Sequence, residues 1–158
     1  MIRTGIGYDA HKLIKGGPLI VGGVSIPSSY KSLGHSDGDA LIHAIIDAIL
    51  GAASLGDIGK YFPSSNKKWE GVSSSYFLKS VVKELDDIGY QIENIDSTII
   101  LQKPMISEYI SKIVKHLSLI MHLNQNQVSV KATTTDGLGF IGNSDGWSSL
   151  AIASLSKT

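Results

Sequence analysis

Asp9 and His11 stand two residues apart in the segment Ile2-Arg3-Thr4-Gly5-Ile6-Gly7-Tyr8-Asp9-Ala10-His11. In an extended chain, residues at i and i+2 share a face, so a carboxylate and an imidazole project together. Taken alone, such a pair reads as two exposed polar groups on an edge strand. The stretch 34–50 shifts that weighting. Asp39, His43 and Asp47 recur at intervals of four, on one stripe of a helix, and Leu41, Ile42, Ala44, Ile45, Ile46, Ala48 and Ile49 cover its other faces. A helix apolar nearly all round is a buried one. Two carboxylates and an imidazole are costly inside a core unless paired or bound to metal. The plainer alternative is a stripe facing water, with His43 satisfied by Asp39 or Asp47. His35, Ser36 and Asp37 argue against it, because they crowd a Gly-rich turn at a helix N-terminus that favours anions. Asp9, His11 and His43 together would leave one tetrahedral position open, the pattern of a catalytic zinc. Spacing does not separate zinc from manganese or cobalt.

A second set follows a strand: Lys131-Ala132-Thr133-Thr134-Thr135-Asp136-Gly137. Three hydroxyls, backbone N–H groups and a carboxylate at a strand end suit a diphosphate, with Asp136 a candidate for Mg²⁺. A Thr-rich strand that merely fits a pleated surface is the simpler alternative. Gly56-Asp57-Ile58-Gly59 is a tight loop able to offer Asp57 to hydroxyls, although most such loops are only turns. Leu101-Gln102-Lys103-Pro104-Met105-Ile106 is a strand exit whose free backbone groups could read a base edge. No P-loop or dinucleotide fingerprint is present.

The bulk chemistry narrows the classes. The 158 residues carry 14 basic and 14 acidic groups, so no basic excess exists to attract a nucleic-acid backbone or an anionic membrane. Arg3 is the single arginine, so a phosphate site must use lysine, backbone N–H groups, hydroxyls or metal. With no cysteine, a metal must be held by His and carboxylates. No apolar stretch reaches membrane-spanning length and Met1 to Asp9 is no signal peptide. The expectation is a cytoplasmic protein, or one of an organelle stroma if a transit peptide was removed. The low charged share of 18% hints at a face covered by another subunit.

The elements that must position these residues are legible in outline. Strands are expected at 2–11, at 18–27 around Gly22-Gly23, at 90–102 and at 127–132. Helices are expected from Ser36 or Asp37 to about Ala53, over 78–88 after a Ser73 or Ser74 cap, and over 106–117, with a short closing helix at 147–155. Residues 56–63 read as loop, and 64–71 as the most mobile part. The fold class is α/β (α+β): one domain over 1–158, a mixed β-sheet covered by helices, with a β-hairpin near the N-terminus.

Taken in order, GYDAH at 7–11, GG at 22–23 with IP at 26–27, GHSDGDALIHAIIDAILGAASLGDIGKYFP at 34–63, NIDSTIILQKP at 94–104, VKATTTDGLGF at 130–140 and GNSDG at 142–146 resemble one family. It is the 2-C-methyl-D-erythritol 2,4-cyclodiphosphate synthase family of the non-mevalonate isoprenoid pathway. The resemblance implies a CDP-linked methylerythritol 2-phosphate substrate, CMP release and a homotrimer with active sites between subunits. It implies zinc on Asp9, His11 and His43, and Mg²⁺ or Mn²⁺ beside Asp136. It puts His35 and Thr134 at transition-state stabilisation. It puts Asp9, Ala10 and His11 at the substrate, His35, Ser36, Asp57, Ile58 and Gly59 against its methylerythritol part, and Phe62, Pro63, Ser64, Ser65 and Asn66 beside that part. The nucleotide falls to Leu101, Gln102, Lys103, Pro104, Met105, Ile106 and Ser107 with Ala132, Thr133, Thr134, Thr135 and Asp136, and further contacts to Phe140 and Asn143. Asp136 stands where the family usually has Glu, Asn143 where Arg is common, Met105 where Lys is common, and Ser64 and Asn66 where acids are frequent. Two other readings stay open: another metal-dependent phosphohydrolase or cyclase, and a non-catalytic nucleotide or metal sensor.

Overall fold

Strand β1 runs from Ile2 to Lys15 and helix α1 from Ala40 to Ala53. They meet backbone to backbone at two glycines of β1. A Cβ on Gly5 would lie 2.1 Å from the Ala48 carbonyl oxygen, and one on Gly7 would lie 1.9 Å from that of Ala44. Only glycine permits this approach. The six large side chains Leu41, Ile42, Ile45, Ile46, Ile49 and Leu50 of α1 are fully buried. Each such burial contributes about 2 kcal/mol.

The computed structural model describes residues 1–157; Thr158, the last residue of the expected domain, lies outside them. The chain forms a single small domain. After β1 come a hairpin of β2 (Leu19–Val21) and β3 (Val24–Ile26), then β4 (Tyr30–Leu33) and α1. A one-turn helix α2 (Ile58–Tyr61) and a 3₁₀ turn (Lys67–Trp69) lead to α3 (Ser74–Asp87) and β5 (Tyr90–Ile100). Helix α4 (Ile110–Met121), β6 (Val128–Thr133), the short α5 (Gly139–Gly142) and β7 (Gly146–Lys157) complete it. The five-stranded sheet has the order β4-β1-β7-β5-β6. Only β5 and β6 pair in parallel; the other neighbours are antiparallel. The sheet is therefore mixed, as expected, and the hairpin near the N-terminus turns at Gly22-Gly23, both at positive φ.

The expected closing helix at 147–155 is instead β7, a central strand paired with both β1 and β5. Its small residues Ser149, Ala151 and Ala153 are buried and alternate with exposed Leu150 and Ile152. Apolar residues on both faces mask the period of two, and pairing on two edges overrides the helix preference of alanine. The loop expected at 56–63 contains α2, and 64–71 contains a 3₁₀ turn whose exit is tied to the rest by Gly71 N–H donating to the His35 carbonyl (2.9 Å).

Helix α1 is capped by Asp39 rather than by Ser36 or Asp37. The Asp39 carboxylate accepts the N–H of Ile42 (3.1 Å) and, across the fold, those of Gly22 (3.0 Å) and Gly23 (2.7 Å). At the other end, Arg3 donates to the Ala52 carbonyl (2.5 Å), so the single guanidinium is spent on the helix C-terminus. The Gly7→Ala variant is expected to lose about 3 kcal/mol of stability, or to fail to fold, because helix and strand must part. Chemical denaturation measures it.

Candidate functional site

The close seating of α1 on β1 delivers His43 to Asp9 and His11. The Asp9 Oδ2 atom lies 2.7 Å from His11 Nε2 and 3.1 Å from His43 Nδ1. The two imidazole nitrogens are 3.2 Å apart. These three residues form a group able to hold a metal ion. Tetrahedral ligands at zinc bond lengths sit about 3.3 Å from one another, so the donor set fits a small divalent ion. The other ring nitrogens are occupied. His11 Nδ1 faces the Leu33 carbonyl at 3.2 Å, and His43 Nε2 faces the Ser74 hydroxyl at 2.8 Å and Ser36 at 3.3 Å. Each ring thus turns a bare nitrogen toward Asp9 when its outer nitrogen carries the proton.

The stripe expected from Asp39, His43 and Asp47 divides. Asp39 is the cap, and its burial, then the charge of Asp37, pushes it up to about 6 against three N–H donors. Asp47 accepts the Ile58 N–H at 2.8 Å and so fixes the start of α2, while its own burial pushes its carboxyl up. Only His43 joins the candidate metal group, and its partners are Asp9 and Ser74 rather than Asp39 or Asp47.

A cleft of about 250 Å³ opens beside the group, lined by His11, His35, Ser36, His43, Ile58, Gly59, Phe62, Ser64, Trp69 and Phe77. His35 Nε2 faces the Asn66 carbonyl at 3.0 Å. Asp57 caps α2 by accepting the Lys60 N–H at 3.0 Å. Phe62 stacks on Phe77 with centroids 4.2 Å apart and meets Trp69 edge-on. Of the expected residues 57–59 and 62–66, Ile58, Gly59, Phe62 and Ser64 line this cleft beside the candidate metal group. Ala10, between the two β1 ligands, is exposed, and Pro63 and Ser65 lie along the rim segment. Sequence reasoning missed Trp69 and Phe77 as cleft walls, placing Trp69 in the segment expected to be most mobile, and it saw Ser74 only as a possible helix cap.

The second expected set assembles elsewhere. Leu101 N–H donates to the Thr133 carbonyl (3.0 Å), and Gly137 N–H to Gln102 Oε1 (3.2 Å), which joins 101–107 to 132–136. Asp136 holds a positive φ of 52° and its N–H donates to Thr134 Oγ1 at 3.2 Å. Thr135 Oγ1 donates to the Leu138 carbonyl at 2.7 Å. Lys103, Met105 and Ser107 are exposed, Gln102 and Pro104 half-buried, and Ile106 is buried. Phe140 and Asn143 sit on and just after α5, exposed, with the Phe140 ring against Gly146. Along one rung of the sheet Ala10 pairs with Ser148, Ser148 with Ile100, and Ile100 with Thr133. Three strand spacings separate the two sets, roughly 14 Å, and no residue of 101–107 or 132–136 lines the cleft.

A family model described as the YgbB family matches residues 2–156. The chain is 54% identical over 154 residues to the 2-C-methyl-D-erythritol 2,4-cyclodiphosphate synthase of Clostridium acetobutylicum, covering 98% of this chain and 99% of that protein. The chain belongs to the YgbB, or 2-C-methyl-D-erythritol 2,4-cyclodiphosphate synthase, family. Among solved structures it resembles IspF of Plasmodium falciparum in complex with CDP, with a TM-score of 0.87, 36% identity, and coverage of 99% of this chain and 97% of that one. It also resembles the bifunctional IspDF of Campylobacter jejuni, with a TM-score of 0.96 and 36% identity, spanning all of this chain and 43% of that longer one. This YgbB-family chain has no helix long and apolar enough to cross a membrane among its described residues.

Asp9 and His11 set each other's charge. Burial alone would push Asp9 up, but hydrogen bonds from His11 and His43 outweigh it and hold the carboxyl down to about 2. Burial alone would pull His11 down, but its hydrogen bond to Asp9 and that charge raise it above 6.5. A depressed carboxyl contributes stability above its unfolded pKa of 3.8, lost as pH falls toward 2. A raised imidazole contributes stability below 6.5, lost as pH rises through its folded value. From this pair, the protein treated with a chelator is expected to be most stable between about pH 4 and 6.5 and to lose stability above that window. With Zn²⁺ added the alkaline limb should reverse, because metal ligands must be deprotonated. Thermal melts across pH with and without Zn²⁺ check both signs.

Proposed function

We propose that the protein converts 4-diphosphocytidyl-2-C-methyl-D-erythritol 2-phosphate to 2-C-methyl-D-erythritol 2,4-cyclodiphosphate and CMP, a phosphorus–oxygen lyase step of non-mevalonate isoprenoid biosynthesis. The observation that carries the reading is the Asp9–His11–His43 group opening on a cleft in a chain of this family. The reaction needs no protein nucleophile. An oxygen of the substrate's own 2-phosphate bonds to the β-phosphorus, the bond from that phosphorus to the bridging oxygen breaks, and CMP leaves with the electron pair. Catalysis reduces to positioning and charge neutralisation, which suits a chain whose single arginine is committed elsewhere.

In this reading Asp9, His11 and His43 would hold zinc, and Asp136 would hold Mg²⁺ or Mn²⁺. When bound, the two cations supply Lewis-acid polarisation of the phosphate oxygens. His35, tethered to Asn66, and Thr134, in the loop below β6, stabilise charge developing at the transferred phosphorus. Residues 57–59 and 62–66 orient the methylerythritol part, with Asp57 addressing its hydroxyls. Residues 101–107 and 132–136 hold the cytidine and its phosphates, and Phe140 and Asn143 add contacts from α5.

The two halves of this site are roughly 14 Å apart along one sheet rung within a chain. A homotrimer with sites between subunits would bring one chain's metal group to its neighbour's nucleotide loops. The exposed apolar sheet face supports this: Ile6 and Ile152 are paired neighbours at 69% and 45% exposure, as are Tyr8 and Leu150 at 53% and 41%. A lone domain leaves such a patch wet, whereas an obligate interface covers it.

The test is CMP release from the CDP-linked substrate. His43→Ala should abolish metal retention and cut CMP release more than about a hundredfold, beyond the loss typical of an outer-shell change. Normal turnover in that variant would overturn the metal role of the Asp9–His11–His43 group, and no CMP release by the wild type would overturn the reaction and favour a sensor or another phosphohydrolase. Mixing His43→Ala with a Thr134→Ala, Asp136→Ala chain tests the shared site. Subunit exchange should restore activity, and proven exchange without recovery would refute it.

A further inference from the structure

Ser74, the first residue of α3, is fully buried, and its hydroxyl lies between two side chains of the loop and helix that precede it. On one side is His43 Nε2 at 2.8 Å; on the other is the Asp37 Oδ1 atom, in a short hydrogen bond. Asp37 is itself held by main-chain donors. Its Oδ2 accepts the Ser74 N–H at 3.0 Å and its Oδ1 accepts the Asp39 N–H at 3.1 Å. A serine hydroxyl has one proton, and a carboxylate only accepts. The Ser74 proton therefore goes to Asp37, and the Ser74 oxygen presents a lone pair to His43. That lone pair can be met only by an N–H on His43 Nε2. The opposite nitrogen, Nδ1, is then bare, and it is the atom that faces Asp9 Oδ2 and His11 Nε2.

We propose that Asp37 and Ser74 are positioning residues for the metal centre: they form a carboxylate–hydroxyl–imidazole relay that fixes His43 as the Nε2–H tautomer and so reserves Nδ1 for the metal ion. The inference rests on the metal reading of the site. It also explains an asymmetry between the two histidines. His11 is oriented by a main-chain carbonyl, that of Leu33, which no substitution removes. His43 is oriented by side chains from α3 and the 34–39 turn, so its tautomer is set by residue identity. Ser36, 3.3 Å from the same nitrogen, has no carboxylate behind it and cannot impose a direction on the bond. In Asp37→Asn an amide NH₂ in the place of Oδ1 gives up the Asp39 N–H but can donate to Ser74, whose proton is then free to turn toward His43. The variant keeps size and burial yet allows the tautomer that carries its proton on the metal side.

The first measurement needs no variant. In an imidazole-tuned proton–nitrogen spectrum of the Zn²⁺-loaded wild type, His43 should be bound through Nδ1 and show a slowly exchanging Nε2 proton. Coordination through Nε2 would overturn the relay. The second is Zn²⁺ affinity by chelator competition. Asp37→Asn and Ser74→Ala should each weaken it about 10–100-fold, the range for an outer-shell partner, and Asp37→Asn should lose the protection of the Nε2 proton. A purely structural role would leave that proton's signature unchanged in the folded variant. Unaltered Zn²⁺ affinity in folded Asp37→Asn refutes the proposal. A wild type that takes up no Zn²⁺ refutes the metal reading itself, and the relay with it.

Discussion

The structure depends on the contact between the backbones of α1 and β1. Two missing side chains, at Gly5 and Gly7, let the carbonyls of Ala48 and Ala44 approach where a methyl group would collide. This contact sets the depth of the buried helix, and with it the position of His43 one residue before Ala44. Asp9 follows Gly7 by one pleat on the same face of β1. The strand that supplies the close approach therefore also supplies two of the three candidate metal ligands. Packing and chemistry share one interface, and a change of an ångström in the first would be felt in the second.

Burying so apolar a helix leaves its polar residues little freedom, and each has been given a defined partner. Asp39 is wholly buried, yet three N–H groups offset much of its desolvation, two of them from the β2–β3 turn. The turn, whose two glycines hold positive φ, is thereby pinned to the start of α1. Asp47 binds the first amide of α2 and so carries the cleft rim. The carboxylates of α1 act as braces, and the imidazole is left for the site.

The sheet separates two kinds of surface. One face is sealed by α1. The other keeps Ile6, Tyr8, Leu150 and Ile152 exposed around the Lys131–Asp96 ion pair. The candidate metal group and the Thr-rich loop lie at the same end of this sheet but on strands that do not touch, β1 and β6. The proposed trimer would cover this face and join the two sets of site residues across its subunits.

How much of this was legible depended on whether the signal was local. Periodicity of two placed Asp9 and His11 on one face, and a run of nearly continuous apolar residues marked α1 as buried. Gly5 and Gly7 in an expected strand admit a close approach, but nothing local names α1 as the partner. The motifs from residue 7 to 146 were enough to place the chain in its family. What failed was non-local. The segment 147–155 carries apolar residues on both faces, so it resembled a helix until pairing with β1 and β5 decided it. Asp39, His43 and Asp47 share a stripe, but only neighbours from the hairpin, α2 and α3 determine which of them braces and which is free to bind. Asp37 and Ser74 lie 37 residues apart, and nothing in their separate contexts indicates a shared hydrogen bond. The sequence by itself determined residue chemistry, local periodicity and family. Tertiary structure alone decided partners, because a hydrogen bond or a ligand set is a distance between segments that the chain brings together only when it folds.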